Sequence, residues 1–467
     1  MSQKDRLAVI AFALLRTAFC TYRAITQSLT SDEAFSYNNF ITGPWGRLYA
    51  RYDANNHVLY SILAKLSIIV FGTSEFTLRL PSVIAGFFFV LGLYWVLAAT
   101  TASRTARWTA LLALGLHPLL LDFSAAGRGY GLSLTLLTWA IYFFLRERDL
   151  LSGALLGLGV SANLTILYPA VGLVLCPFAL RRGDSEKRIQ SCLTITFAAT
   201  GVFGAICYAV LSKAATSNFY VGIGKLSSAI FNMTVTSVRG SERLGLLGTY
   251  NGLRLTEFVI LPLLTIFSLL ASARIFLRFP DRRPALAPMA MLLTAVVELV
   301  AARHLAGLPY PVDRLGLYLL LLLGLAWAIA VSATENLLLR LFNGFLAGLL
   351  VIQFATQLQT RYFQVWIYDL PAKDVARRLL DETRDKPPNS VKVSVTWWEQ
   401  PALEFYRGYY QISSLQPIQR YEVTPLEGFD YYVVHVTDDK SVRREGLQRL
   451  RPVLQEPVSG VLLAKEP

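Results

Sequence analysis

Apolar runs separated by short polar breaks dominate the chain: Leu7–Ile25, Phe76–Ala99, Ala106–Leu121, Gly131–Leu145, Ile189–Leu211, Leu255–Leu277, Leu315–Val331 and Leu337–Ala355. Several approach the roughly 20 residues that a bilayer-spanning helix needs. With weaker runs between them, the pattern predicts eleven spans, near 7–27, 76–100, 106–121, 129–145, 150–163, 164–180, 189–211, 255–277, 286–302, 315–331 and 337–357. The fifth and sixth are weak enough to form a re-entrant pair instead. Asn56–Gly72 is too short to cross and carries His57 and Lys65. It reads as an interfacial or juxtamembrane helix. After about residue 360 the pattern changes. Ala372–Glu382 has helical spacing, Val391–Thr396 alternates like a strand, and Tyr431–Val436 is a second β-rich run. The expected architecture is a mainly α polytopic membrane domain over 1–360 with a small soluble α/β domain over 361–467.

Composition sharpens this. Of 467 residues 54% are hydrophobic and 16% charged, against about 25% charged in ordinary soluble domains. The first run contains Arg16 and Arg23 and no small-residue cleavage site, so it reads as an uncleaved helix rather than a signal peptide. Cys20, Cys176, Cys192 and Cys207 all fall in apolar segments and read as small buried hydrophobes. The net charge of +13 does not point to nucleic acid: residues 361–467 hold 15 basic and 15 acidic residues, so the excess belongs to the membrane part. There it clusters between runs, at Lys4–Arg6, Arg104–Arg107, Arg146–Arg148, Arg181–Arg188 and Arg274–Arg283. The positive-inside rule puts these clusters and the N-terminus in the cytoplasm. The loops 28–75, 122–128, 212–254 and 303–314, and the C-terminal domain, then share the opposite face.

That face collects the polar residues. The first loop carries Asp32, Glu33, Arg51, Asp53, Asn56 and His57; the second carries Asp122, Arg128 and Tyr130; a later one carries Arg303, His304, Tyr310, Asp313 and Arg314. Glu298 lies just inside a span. Carboxylates and arginines in one membrane plane suit a specific chemistry: a carboxylate takes a proton from an attacking hydroxyl, and arginines hold a phosphate. Structural readings compete at each position. Thr30-Ser31-Asp32-Glu33 also matches a capping box. Asp122 also reads as a helix cap or a partner of Arg128, and Arg303 and Arg314 as interface anchors. His57 and His304 also suit interfacial hydrogen bonding. Asp32, Asp53 and Asp122 are the oxygen ligands a divalent metal would use, although nothing in the sequence demands one.

Several stretches together resemble a known family. Asp32-Glu33-Ala-Phe-Ser after the first span resembles the acidic motif of lipid-dependent glycosyltransferases of the GT-C type. Asn55-Asn-His-Val-Leu-Tyr60 and Phe71-Gly-Thr-Ser-Glu-Phe-Thr-Leu-Arg-Leu-Pro-Ser82 resemble the segments that follow it. The likeness covers about residues 1–180 and extends to protein O-mannosyltransferases, aminoarabinose transferases and, above all, the RgtA/B/C/D-like group. It implies a GT-C fold, a polyprenyl-phosphate-sugar donor and inverting transfer to a glycan, lipid or protein acceptor. The setting would be the periplasmic side of a bacterial inner membrane. It makes Asp32 the general base with Glu33 as its catalytic companion. Asn56, His57, Asp122, Arg128, Tyr130, Arg303, His304, Tyr310 and Arg314 become candidates for binding donor or acceptor. The second loop, Asp122-Phe-Ser-Ala-Ala-Gly-Arg128-Gly-Tyr130, lacks the acidic residue usual between the two arginines of that family's loop, and His57-Val58-Leu59 stands where the family has His-Pro-Pro. Two rival readings of the same charges are a flippase or transporter for a lipid-linked sugar and a non-catalytic scaffold of envelope assembly.

Overall fold

A computed structural model describes residues 2–214, 221–240, 245–436 and 447–466. Helix α1 (Gln3–Thr26) is capped by Ser2 and ends where Gln27 turns extended. The short α2 (Ser31–Ser36) runs into a π-helical turn, Tyr37–Ile41, and a 3-10 turn, Trp45–Tyr49. Then come α3 (Val58–Phe71), α4 (Glu75–Thr100), α5 (Arg104–Leu116), α6 (Pro118–Asp122) and α7 (Gly129–Leu145). Helices α8 (Asp149–Ala162), α9 (Leu167–Leu180), α10 (Ser185–Leu211) and α11 (Leu226–Val238) follow. Next are α12 (Gly245–Gly248), α13 (Tyr250–Leu255), α14 (Leu261–Arg278), α15 (Ala287–Ala306), α16 (Leu317–Ser332) and α17 (Leu337–Thr356). Among the described residues, seven helical segments are long and apolar enough to cross a membrane.

Helical rods fall on all eleven expected spans, with two local differences. The span expected over 106–121 is broken: His117 is non-helical, because the residue before Pro118 is pushed out of the α region. The loop expected over 212–254 contains α11 to α13, and α13, a π-helical turn and α14 form one helical stretch, Tyr250–Arg278. The 14-residue α3 occupies the segment read as too short to cross. The four cysteines are buried and free.

One large apolar core joins α1, α4, α5, α7, α8, α9, α15 and α16 through residues such as Phe89, Leu93, Leu111, Leu137, Leu173, Met291 and Leu321. Close packing of α8 on α10 depends on Gly153 and Gly157. A Cβ on either would lie 2.5 or 2.4 Å from the carbonyl oxygens of Ile195 and Ala199, the small-residue contact by which helices approach in lipid. Arg16, in the middle of α1, is buried without a carboxylate. Its guanidinium donates to the carbonyls of Gly115, Gly86 and Leu120 and to Ser124 Oγ, tying three chain segments together.

The C-terminal part adds α18 (Ala372–Glu382), α19 (Gln400–Tyr409) and a four-stranded sheet of β1 (Val393–Val395), β2 (Tyr431–His435), β3 (Arg451–Glu456) and β4 (Val461–Lys465). The order is β1-β2-β4-β3, with β1 and β2 parallel and the other pairs antiparallel. Tyr431 and Val433 of β2 face α18 and α19, whereas Tyr432 and Val434 face a second small core, as strand alternation requires. The first core is shared: Leu29, Ala34, Ile41, Tyr60, Ala64 and Leu78 from the membrane part pack into it. A polar seam runs along the joint. Lys373 pairs with Glu75 at 2.8 Å, Tyr406 Oη donates to Glu75 at 3.1 Å, and Leu29 N donates to Tyr406 Oη at 2.8 Å.

Candidate functional site

Helix α2 starts three ways at once. Thr30 Oγ1 accepts from Glu33 N, Glu33 Oε2 accepts from Thr30 N at 2.7 Å, and Asp369 Oδ2 accepts from Ser31 N at 2.6 Å. The first two bonds are the capping box expected from the sequence. The third comes from the segment after α17. A helix start pinned this way holds its first side chains in fixed directions.

Glu33 points inward and is fully buried. Its two oxygens take Arg79 Nε and Nη2, each at 2.7 Å, together with the amides of Thr30 and Gly127. Arg79 spends its remaining donors on the carbonyls of Ala24, Gln27 and Ser28. Burial raises the Glu33 pKa, but Arg79 and these bonds outweigh it and hold the carboxyl below its usual range. Every acceptor position of Glu33 is occupied. Its contacts are those of a scaffold residue and leave it no open acceptor for the catalytic part expected of it.

Asp32 points the other way, and its side chain is 18% exposed. Oδ2 accepts from Arg314 Nη2 at 3.1 Å and from Trp366 Nε1 at 3.2 Å. Oδ1 has no hydrogen bond among the described residues. Burial raises the Asp32 pKa, but the charges of Arg314 and Arg128, the Trp366 bond and the charge of Arg420 together bring it below the usual carboxylate range. Asp32 is therefore ionised, oriented through one oxygen and open at the other.

Arg314 also contacts Asp313 at 3.5 Å and lies 5.3 Å above the Trp366 ring. Arg128 is as close but committed. Its guanidinium donates to Asp32 O, Ser36 Oγ, Asn55 O and Asn55 Oδ1, at 2.6–3.2 Å, and is 2% exposed. It closes the first loop onto α2 through Nη1 and Nη2, while its Nε is buried with no partner among the described residues; Arg314 is the more exposed of the two arginines. Asn56 likewise serves the loop, donating to Leu48 O and accepting from Ser61 Oγ.

His57 and Tyr130 adjoin, rings 4.9 Å apart. His57 Nδ1 lies 3.0 Å from Ala162 O, which can only accept, so Nδ1 carries the proton and Nε2 is a buried acceptor without a partner among the described residues. Burial, with Arg128 and Arg314 nearby, depresses the His57 pKa well below its ordinary value, and the ring is neutral.

Other expected residues lie elsewhere. Asp122 pairs with Arg23 at 2.6 Å and accepts from Gln364 N at 2.7 Å, fully buried; its carboxylate ties α1 to the post-α17 segment. Arg303 donates to Gly307 O and caps its own helix, and His304 is exposed beside it. Tyr310 is buried in a β-bridge with Ile223. None of these three has a bond to Asp32. Asp53 accepts from Asn55 N in its own turn. Among the described residues no group of three or more His, Cys, Asp or Glu side chains is placed to hold a metal ion. The Asp32–Asp53–Asp122 set is thus not assembled, because two of its members are bonded into separate parts of the scaffold.

Four neighbours of Asp32 have no counterpart among the expected site residues, and all follow α17. Trp366, Tyr368 and Asp369 come from the 3-10 segment Gln364–Asp369, and Arg420 from the C-terminal part. Tyr368 Oη lies 3.5 Å from Ser31 Oγ. Arg420 sits over the rings of Trp397 at 4.7 Å and Phe35 at 5.9 Å. Burial, reinforced by the charges of Glu399 and Asp32, pushes the Asp369 carboxyl well above its usual range. The one sequence signal for this segment is its density of aromatic residues, Phe363-Gln-Val-Trp-Ile-Tyr-Asp369, directly after a span.

Residues 59–303, more than half of the chain, match the model of glycosyltransferase family 87. The chain belongs to glycosyltransferase family 87. The matched segment contains Arg79 and Arg128 and begins after Asp32. No curated protein matches the chain. Among solved structures, the apo oligosaccharyltransferase of Archaeoglobus fulgidus superposes with a TM-score of 0.50 at 13% identity, over 93% of this chain and 70% of that one. ArnT from Cupriavidus metallidurans, bound to undecaprenyl phosphate, gives 0.45 at 14% identity over 99% and 98%. The arabinofuranosyltransferase AftD from Mycobacteria gives 0.44 at 14% over 100% and 40%. At such identities the likeness is one of fold: this family 87 member is an integral-membrane glycosyltransferase of GT-C fold. Family membership removes the transporter and scaffold readings as the main function.

Proposed function

We propose that this glycosyltransferase moves a sugar from a polyprenyl-phosphate donor to a hydroxyl of a cell-envelope acceptor, with inversion, using Asp32 as general base. The observation that carries the reading is the division of labour within one carboxylate. Oδ2 is held by Arg314 and Trp366 while Oδ1 is open. In the proposed step Asp32 Oδ1 takes the proton of the acceptor hydroxyl as its oxygen attacks the anomeric carbon. The bond to the phosphate breaks on the opposite side, and the lipid phosphate leaves with the electron pair. Arg314, with donors beyond the one on Asp32, meets that charge. An ionised carboxylate whose pKa is depressed is a modest base but is in the right form throughout the neutral range.

Orientation follows from loop charge. Helices α4 and α7 start beside the site, with Arg79 in the second turn of α4 and Tyr130 in the first turn of α7, and both are followed by basic clusters, Arg104–Arg107 and Arg146–Arg148. With those ends in the cytoplasm, Asp32 and the C-terminal part face the periplasm of a bacterial inner membrane. A donor there has to arrive anchored in the bilayer, as the undecaprenyl phosphate seen in ArnT is.

The test uses purified full-length protein in nanodiscs, radiolabelled polyprenyl-phosphate monosaccharides and a membrane extract as acceptor source. Sugar transfer and release of free polyprenyl phosphate are expected from the wild type. Asp32→Asn should lower turnover about 10²–10⁴-fold with donor binding retained. Full turnover by this variant would remove Asp32 as the base.

A further inference from the structure

Three polar side chains at membrane level take no part in the site described above. Tyr168 lies on α9, Glu298 on α15 and Tyr318 on α16. The Tyr168 and Tyr318 rings stack at 6.2 Å with 16° between their planes. The Glu298 carboxyl is within electrostatic reach of both. Two polar atoms are stranded there: Tyr318 Oη and Glu298 Oε1 are buried with no hydrogen-bond partner among the described residues. Tyr318 is 1% exposed within the large apolar core, and Tyr168 packs with Val300 and Leu319 against Leu299 and Tyr310.

A buried hydroxyl without a partner is destabilising, and phenylalanine would fill the same space without that cost. A carboxyl at this depth is costlier still and, inside a membrane, points to function. Two such groups meeting in one place call for a ligand that supplies the missing partners. The location narrows the ligand. Tyr318 lies in the first turn of α16, four residues after Arg314, which sits in the 3-10 turn Asp313–Gly316 leading into that helix, and Arg314 touches Asp32. The cluster therefore lies next to the site along the chain, where the span α16 begins.

We propose that Glu298 and Tyr318, flanked by the Tyr168 ring, recognise hydroxyl groups of the sugar carried by the lipid-phosphate donor. The proposal rests on the donor reading above and adds the residues that select the sugar. The carboxyl accepts from sugar hydroxyls, the phenol donates or accepts, and the Tyr168 ring packs against sugar C–H groups. A site built to bond a hydroxyl discriminates strongly against an analogue that lacks it, because its own groups are then left unpaired.

The experiment measures kcat/KM of purified full-length protein for a polyprenyl-phosphate monosaccharide that the wild type turns over and for its monodeoxy analogues. Against one analogue the wild type should discriminate about 10²-fold or more. Tyr318→Phe and Glu298→Gln should lose about 10-fold or more on the parent donor, mainly through KM, and little on that analogue, so the ratio collapses. Tyr318→Phe should also melt at or above the wild-type temperature, because it deletes a stranded group. Unchanged ratios in Tyr318→Phe, with turnover intact, overturn the pocket and leave the donor reading standing. Tyr318→Phe deletes a single oxygen and decides the matter if Glu298→Gln does not fold. Failure of the wild type to use any polyprenyl-phosphate sugar overturns the donor reading, and the pocket with it.

Discussion

Two carboxylate–arginine pairs lie one residue apart on α2. Glu33–Arg79 and Asp32–Arg314 share chemical type and have similar separations, 2.7 and 3.1 Å. The first pair is 0% exposed on both sides, and its hydrogen-bonding capacity is saturated by backbone groups of two loops. The second is 18% and 23% exposed and keeps an open carboxylate oxygen and unused guanidinium donors. A helix turns its successive side chains by about 100°, so neighbours face different surroundings. The lesson is that charge alone does not mark a reacting group; leftover hydrogen-bonding capacity next to an opening does.

Loss of the Asp32 carboxylate, the largest effect expected, separates the pairs through turnover. The next separates them through stability. Arg79→Met strands a buried carboxylate, and breaking such a pair costs about 3–5 kcal/mol, read as a lower melting temperature in nanodiscs. Glu33→Gln with Arg79→Met should recover little, because the carbonyls of Ala24, Gln27 and Ser28 still lose their donor. A stable, correctly folded Arg79→Met protein that fails only in turnover would erase the distinction and move Arg79 into the chemistry.

Arg314→Gln tests the other side. If Arg314 meets the leaving phosphate, turnover falls about 10²–10³-fold with a small change in melting temperature. The pH profile gives an independent reading. Burial alone raises the Asp32 pKa and the Arg314 charge is the largest influence lowering it. Without that charge the acid limb of kcat/KM should move toward neutral pH, so the variant loses relatively more activity in mild acid. An unmoved limb would mean that the limb reports some group other than Asp32.

Much of this contrast was hidden in the sequence for physical reasons. The capping box could be read locally, because Thr30 and Glu33 are three residues apart and the motif is made by neighbours. Helix α18 matches its expected bounds since its amphipathic spacing is also local. The partners that decide which carboxylate reacts are remote. Arg79 stands 46 residues from Glu33, Arg314 282 from Asp32 and Trp366 334 from Asp32. No periodicity reports such pairings. Arg128 has a residue type and a loop that suit a phosphate, and only the fold shows that it also donates to the carbonyls of Asp32 and Asn55.

Trp366→Phe gives the smallest expected effect and the finest resolution of the comparison. Its indole N–H donates to the same Asp32 oxygen as Arg314, and its ring lies under the Arg314 guanidinium and against Phe123 at 5.3 Å. Phenylalanine keeps most of the ring contacts and removes the donor. One hydrogen bond to a charged group contributes about 1.5–3 kcal/mol, part of which Arg314 retains by holding Oδ2 alone. Turnover should fall about tenfold, with KM for the donor nearly unchanged. The acid limb should shift upward by less than in Arg314→Gln, because the indole bond is a weaker influence on Asp32 than the arginine. A Trp366→Phe enzyme with wild-type turnover and a lowered melting temperature would place Trp366 with Arg79, as scaffold, and leave Arg314 alone to orient the base.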